Sequence, residues 1–453
     1  METGVDRPLA LALSGGGDSI ALLRLAADWA RAHGRRLLAL TVDHGLSPDS
    51  AAWTVFAETA ARAAGADWCG LRWTGPRPAT GLPAAARMAR HRLIADAARK
   101  AGARVMLFAH TADDIAEAEV MRAEGSTLGR LRDWAPSPVW PEGRGLMLLR
   151  PMLGAGRGEV RDWLAGQGAD WIDDPANEDA RFARGRARRF LTLLPSGEGG
   201  ARPAQAGWED EGVRRQGDPA LNPLTLSRKN DAAAAVRSSP LPLGEGSLIT
   251  DRNTDAQTLA AALVCAGGGD RLPRGDRLEA VRSRLARGDD FTATLCGARV
   301  EARGDQVLLS REAGEFIRRQ RPPLPLTPGA ETVWDGRWAI TVAEPGWSVV
   351  PAAGVMAALS AADRAALKAL PPAARGARPV LFRNDRTAPV LAGSVATAVS
   401  LVEERLALAL DRMTHERDLG GATHGASPRN PLFSDDEITD DRALRRTQGP
   451  RRE

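Results

Sequence analysis

The run Ser14-Gly15-Gly16-Gly17-Asp18-Ser19 stands directly behind the apolar stretch Leu9–Leu13 and just ahead of a second apolar segment that begins at Ile20. That order reads as strand, tight loop, helix. Consecutive glycines let the backbone pass through positive φ and bring its amides close to a ligand. A helix N-terminus adds unpaired N–H groups and the positive end of its dipole, so the loop suits a phosphate. Ser14 and Ser19 supply hydroxyl donors. Asp18 puts a carboxylate where a pyrophosphate would sit, an arrangement that makes sense when Mg²⁺ bridges the two. No lysine follows the glycines, which excludes a Walker loop. The spaced glycines and acidic ribose ligand of a dinucleotide fold are also missing. These residues point to the splitting of ATP.

Three further groups carry chemistry. His110, Asp113, Asp114 and Glu117 form a His-x-x-Asp-Asp-x-x-Glu series that opens a helix, with Glu117 one turn beyond the two aspartates. Such a cluster can complete a Mg²⁺ shell with Asp18, while simple capping of the helix is the alternative use of its first-turn acids. Its position behind a strand end, next to His110, favours a site. Asp43-His44-Gly45-Leu46 closes another strand, where backbone groups can pair with a base edge. Arg87 and Arg90 lie on one face of a helix. Arg181, Arg184, Arg186, Arg188 and Arg189 cluster near residue 185 and suit a nucleic-acid backbone.

The elements that must hold these residues follow from periodicity. Short β-rich runs at Leu9–Leu13, Leu37–Val42, Trp68–Trp73 and Val105–Ala109 alternate with helical segments around 19–33, 50–64, 83–101 and 112–123. Alternation of this kind defines an α/β domain, a parallel sheet with helices on both faces. Ligands of such sheets sit beyond the carboxyl ends of the strands, and the glycine loop, Asp43–Leu46 and His110–Asp114 each follow a strand end. Residues 1–190 are read as this catalytic domain. Residues 191–248 are low in aliphatic content, rich in Pro, Gly, Ser, Glu and Arg, and expected to be a disordered insertion. A small, mainly helical domain is expected at 249–320, with helices at Ala256–Ala266 and Arg277–Leu285 and strands at Ala298–Ala302 and Gln306–Ser310. An α+β domain follows at 321–412 and an unfolded tail at 413–453.

The chain has 453 residues, 43% of them hydrophobic, enough for several packed cores. Its net charge of +4 decides nothing, because nearly all 61 basic residues are arginine and tyrosine is absent, a coding bias that makes arginine informative only where it clusters. The N-terminus lacks a signal-peptide pattern, and the longest smooth apolar run, Val390–Val402, falls short of the roughly 20 residues a bilayer requires. A cytoplasmic protein without membrane association is expected. Cys69, Cys265 and Cys296 are isolated, so neither a disulfide framework nor an iron–sulfur site is suggested.

Residues Ser14–Ser19 resemble the pyrophosphate loop of the PP-loop ATP pyrophosphatases, whose fold is adenine nucleotide alpha hydrolase-like. The resemblance narrows when the motifs are taken in order: Ser14–Ser19, Asp43–Leu46, Ala86–His91, His110–Glu117, Arg150-Pro151-Met152-Leu153, Asp174-Pro175-Ala176-Asn177, then the arginine cluster. This series is similar to that of the tRNA(Ile)-lysidine synthetases and covers residues 8–190, with weaker similarity to about residue 313. His91 departs from a family tyrosine and Ala118 from a threonine; Glu124-Gly125-Ser126 is a shortened form of another family segment. The resemblance implies a C–N ligase: the C2 oxygen of the wobble cytidine in a CAU-anticodon tRNA(Ile) attacks the α-phosphate of ATP, pyrophosphate leaves, and the ε-amine of L-lysine displaces AMP. It implies ATP and Mg²⁺ held by Ser14, Gly15, Gly16, Gly17, Asp18 and Ser19, with Asp18 and Asp114 on the metal. Arg87 would hold the α-phosphate or the cytidine, His110 would donate to a phosphate or the base, and Asp114 or Glu117 would take the amine's proton. Arg181, Arg184, Arg186 and Arg188 would grip tRNA. A tRNA 2-thiocytidine synthetase uses the same loop but carries paired cysteines. A non-catalytic tRNA-binding relative is the third reading. The sequence leaves monomer and homodimer both open.

Overall fold

A computed structural model describes residues 1–75, 77–124, 143–174, 183–193, 241–242, 246–269, 272–320, 322–383, 388–410, 412–413 and 415–419. The chain forms two compact units, one of Met1–Phe108, Gly145–Leu149 and His415–Glu453, the other of Ala109–Arg144 and Arg150–Thr414.

The first unit is built on β1 (Leu9–Ala12), α1 (Gly17–Ala32), β2 (Leu37–Asp43), α2 (Ser50–Ala63), β3 (Asp67–Arg72), α3 (Leu82–Lys100), β4 (Val105–Leu107) and β5 (Met147–Leu149). The five strands pair in the order β3-β2-β1-β4-β5, every pair parallel. Central β1 sets the register, with Leu9 between Leu37 on one side and Val105 on the other. Leu9, Leu11, Leu38, Leu40, Met106 and Leu107 are buried within the sheet, each contributing roughly 1.5–3 kcal/mol by leaving water. A strand buried on both faces has no polar side to show, which is why these runs read as unbroken apolar stretches. Ile20, Leu23, Ala27 and Ala30 recur at helical spacing and turn α1 onto the sheet. The chain leaves β1 toward β2 and β3, then returns to β4 on the other side. β1 and β4 therefore flank the switch point at which such folds bind ligands.

The last described residues complete this unit. Glu416 opens the short turn Glu416–Asp418, and its carboxylate is buried against Arg35, with Arg35 Nη1 2.7 Å from Oε1 and both side chains fully inaccessible. Arg35 also donates to the carbonyls of Glu2 (2.6 Å) and Arg7 (2.8 Å). The expectation of an unfolded tail from residue 413 is thus corrected for 415–419; most of the tail lies outside the described residues. Removing one member of a buried pair strands the other charge and costs about 3–5 kcal/mol. Glu416→Ala is therefore expected to lower the urea midpoint of the sheet unit clearly. Asp67→Ala, which removes only the half-exposed partner of Arg36, should move it by under about 1 kcal/mol.

The second unit begins with α4 (Ala112–Ala123), α5 (Arg157–Gly166) and α6 (Ala183–Leu193). A second sheet follows, made of β6 (Leu241–Pro242), β7 (Leu248–Asp251), β8 (Phe291–Leu295), β9 (Ala298–Arg303) and β10 (Gln306–Arg311) in the antiparallel order β6-β7-β10-β9-β8, with α7 (Ala256–Gly267) and α8 (Gly275–Ala286) on it. The segment expected to be mainly helical thus also carries a five-stranded sheet. β8, Phe-Thr-Ala-Thr-Leu, alternates in burial as a half-covered strand does, but it is only five residues long. The insertion boundaries also shift, since α6 runs to Leu193 and strand pairing resumes at Leu241; residues 194–240 lie outside the described residues.

Residues 322–401 form two small antiparallel sheets around Trp334, Trp338, Ile340, Trp347 and Leu381. The helix Val402–Ala409 leaves them, and Val402, Leu406 and Ala409 enter the core of the preceding domain with Leu263, Val300 and Leu309. The expected boundary at residue 321 is therefore not a clean one. Among the described residues no helix is long and apolar enough to cross a membrane.

Candidate active site

In the first unit the glycine loop joins β1 to α1. Gly15 adopts φ +88°, a value that strains any residue with a Cβ. Gly16 is the N-cap of α1, so no side chain closes the helix end. The two serines organise the loop. Ser19 Oγ donates to Gly16 O (2.8 Å) and accepts the Ser14 amide (3.3 Å), while the Ser14 and Ser19 hydroxyls lie 3.1 Å apart. Ser19 is buried and Ser14 exposed, so Ser19 holds the turn and Ser14 is presented outward. Asp18 stands half-buried in the first turn of α1.

Beyond β2, Asp43 Oδ1 accepts the Gly45 amide at 2.7 Å and fixes a tight turn in which Gly45 has φ +58°. A Cβ on Gly45 would meet the guanidinium of Arg77 at 2.8 Å, and Arg77 itself donates to the His44 carbonyl (3.2 Å). His44 sits edge-on to Trp73. Burial holds its pKa below the ordinary histidine value, and the charge of Arg90 adds to this against Asp43, so the imidazole is neutral near pH 7. Arg87 lies exposed on α3 and Arg90 is half-buried. His91, which replaces a family tyrosine, stacks on Phe108 with ring centres 5.4 Å apart and planes 12° from parallel, so an aromatic contact is kept.

The second unit contains the other cluster. Thr111 is the N-cap of α4. Asp114 accepts from the Thr111 amide (2.9 Å) and hydroxyl (3.3 Å) through Oδ2, and Arg184 lies 3.4 Å from its Oδ1. Asp113 accepts the Arg157 amide at 2.6 Å. Arg150 Nε donates to His110 Nδ1 at 3.2 Å, which makes Nδ1 the acceptor and leaves the ring proton on Nε2. Glu117 is buried and engaged by three guanidiniums: Arg157 Nη1 at 3.0 Å and Arg188 Nε at 2.7 Å on Oε1, and Arg184 Nε at 3.2 Å from Oε2.

Burial alone would raise the Asp114 pKa. The Thr111 N–H bond and the charges of Arg184, of His110 once it is protonated at low pH, and of Arg157 outweigh it, and the net shift is downward. A depressed carboxyl pKa contributes stability that is present above the unfolded value and lost as pH falls through the folded one. The cap of α4 should therefore hold at and above the ordinary carboxyl value and fail only as pH falls through the lowered value of the folded state. Hydrogen exchange of the Thr111 amide across that range checks this, and Asp114→Asn should flatten the dependence.

The sequence-derived site is thus redistributed. Ser14, Gly15, Gly16, Gly17, Asp18 and Ser19 occupy one strand-to-helix turn, and His110, Asp114 and Glu117 occupy the start of α4. Glu117, expected alongside Asp114 as a candidate base for the amine, is ion-paired with Arg184 and Arg188, two of the arginines expected on tRNA. Arg186 is exposed, and Arg181 lies outside the described residues. Sequence reasoning missed Arg157, whose role shows only when α5 folds back on α4; 40 residues separate it from Glu117. Among the described residues no group of three or more His, Cys, Asp or Glu side chains could hold a metal ion. All three cysteines are free, and burial pushes the thiols of Cys265 and Cys296 up to about 11.

A parallel sheet with an uncapped, glycine-lined helix start at its switch point is the frame of a nucleotide-binding α/β domain. The model of the ATP_bind_3 family, described as a PP-loop domain, matches residues 2–194. Over 383 residues the chain is 49% identical to a tRNA(Ile)-lysidine synthase of Caulobacter vibrioides, covering 84% of this chain and 86% of that protein. A tRNA(Ile)-lysidine synthase of Hyphomonas neptunium is 35% identical over 326 residues, 68% of this chain and 83% of that protein. The chain belongs to the tRNA(Ile)-lysidine synthase family.

Proposed function

We infer that the protein ligates L-lysine to C2 of the wobble cytidine of a CAU-anticodon tRNA(Ile), consuming ATP and releasing AMP and pyrophosphate. The observation that carries this reading is 49% identity over 84% of the chain, with the Ser14–Ser19 loop intact at the turn from β1 to α1. In the first step the cytidine C2 oxygen attacks the α-phosphorus and the bond to the bridging oxygen of pyrophosphate breaks. Negative charge grows on the departing oxygens. The amides at the N-terminus of α1 are preorganised donors for it, and the exposed Ser14 hydroxyl, which donates to Ser19 Oγ, would turn toward it. Asp18 and Asp114 are the carboxylates assigned to Mg²⁺. When bound, the ion would help neutralise the charge of the leaving group. His110, with its proton on Nε2, is assigned to donate to a phosphate oxygen, and Arg87 to the α-phosphate or the cytidine.

In the second step the lysine nitrogen attacks C2, the C2–O bond breaks, AMP leaves and the amine loses a proton. An ammonium with an ordinary pKa near 10.4 needs a carboxylate to bind it and accept that proton. Asp114 and Glu117 are the candidates for this role: Arg157 and Arg188 hold Glu117 Oε1, while its buried Oε2, 3.2 Å from Arg184 Nε, accepts no hydrogen bond among the described residues. The reaction is placed in the cytoplasm. The rival thiolation chemistry needs sulfur held near the nucleotide, and the three cysteines offer no paired arrangement.

Transfer of radiolabelled lysine to a CAU-anticodon tRNA(Ile) transcript, with ATP and Mg²⁺, tests the reading. Incorporation dependent on ATP supports it. AMP formation on adding tRNA without lysine incorporation would redirect it to another nucleophile.

A further inference from the structure

Helix α6 has the composition of a nucleic-acid contact, Ala-Arg-Gly-Arg-Ala-Arg-Arg-Phe-Leu-Thr-Leu, with four arginines and no acidic residue. Its arginines do not share one task. Arg184 and Arg188, one turn apart, lie on the face that meets Glu117, and Ala187 beside them is fully buried. Arg186, Arg189 and Phe190 fall three and four positions apart on another face, and all three are exposed. Phe190 leaves 53% of its surface in water, an unusual position for a phenyl ring beside two guanidiniums.

We propose that this outer face binds the single-stranded anticodon loop of the tRNA substrate, with Phe190 as the platform for an unstacked base and Arg186 and Arg189 on the flanking phosphates. The inference rests on the lysidine reading and adds to it a stacking residue that no motif marked. The physical case has three parts. A cytidine whose C2 must be reached by two successive nucleophiles has to leave the stack of its neighbours, and an exposed aromatic ring offers an adjacent base a replacement partner. The guanidiniums of Arg186, one helical turn from that ring, and of Arg189, next to it in sequence, flank the ring and carry the charge opposite to that of phosphates. The Glu117 anchor on the inner face removes the rotational freedom that a bare arginine-rich helix would have, so the outer face is presented in one orientation.

The experiment is filter binding of the full chain to the CAU-anticodon tRNA(Ile) transcript, across a salt series, for wild type, Phe190→Ala, Phe190→Trp and the double variant Arg186→Ala/Arg189→Ala. Phe190→Ala should weaken binding about tenfold or more, and Phe190→Trp should retain it. The double variant should bind more weakly and flatten the slope of log K against log salt by about 1.4, the value for two phosphate contacts on a single strand. Thermal midpoints should stay at the wild-type value, since none of these side chains is buried. Wild-type affinity and slope in both variants would overturn the proposal. So would a change from dimer to monomer in Phe190→Ala, which would assign the ring to a second copy of this chain. Lysine transfer by the wild type is measured alongside: if it fails while the variants lose tRNA, the ligase reading falls and this surface stands; if it succeeds while they bind normally, only the surface falls.

Discussion

Asp18→Ala is expected to lower the rate of lysine transfer by about 10²–10³-fold or more at saturating ATP, lysine and tRNA, with little loss of stability. Two magnitudes separate these effects. As an acid in the first turn of α1, Asp18 interacts with the helix dipole for about 0.3–1 kcal/mol. As a ligand of the ion that offsets pyrophosphate charge, its removal is felt in the transition state by several kcal/mol, and about 1.4 kcal/mol is already tenfold in rate. Asp18→Asn keeps the shape and loses the charge, so it should resemble the alanine variant in activity and the wild type in thermal midpoint. Single-turnover formation of AMP and pyrophosphate is the measurement. Adenylation at the wild-type rate in either variant would remove Asp18 from the site.

The second large effect concerns Glu117. Its side chain is 1% exposed and faces Arg157, Arg184 and Arg188, whose side chains are 19%, 38% and 24% exposed. Breaking a buried ionic cluster by removing its central anion costs about 3–5 kcal/mol. The lower end applies here because water screens Arg184 in particular. Glu117→Ala should therefore release α6 from α4, seen as faster hydrogen exchange over Ala183–Leu193 and as weaker tRNA binding. Glu117→Gln, which keeps an acceptor oxygen, should do so less. If Glu117 were the base for the lysine amine, Glu117→Gln would instead abolish the second step while α6 kept its protection and its affinity for tRNA.

Glu117 also shows where a sequence reading stops. The spacing His110-x-x-Asp113-Asp114-x-x-Glu117 marks a helix start loaded with carboxylates, and the structure has that helix from Ala112. The spacing Thr111-x-x-Asp114 is that of a capping box, and nothing in it says that three arginines from α5 and α6 converge on Glu117. Those partners lie 40 to 71 residues further along the chain. The same limit explains Glu416, an unremarkable acid in a polar tail until a fold brings it 381 residues back to Arg35.

The chain's local grammar was legible at every point where one strand and its following turn decide the outcome. Leu9–Leu13, Leu37–Val42 and Val105–Ala109 are apolar without alternation because both faces of a parallel sheet are covered, and β1, β2 and β4 lie there. Gly15 and Gly16 stand between β1 and α1, and Gly15 takes the positive φ that other residues resist. Strand order, the pairing of charges and the division of α6 into an anchored face and an open one depend on which distant segments meet. Side-chain periodicity shows that a face will be buried or exposed, and it does not name what lies against it. That choice belongs to the tertiary structure, because an ion pair or a stacked ring is fixed by the partner's position in space and not by its own neighbours along the chain.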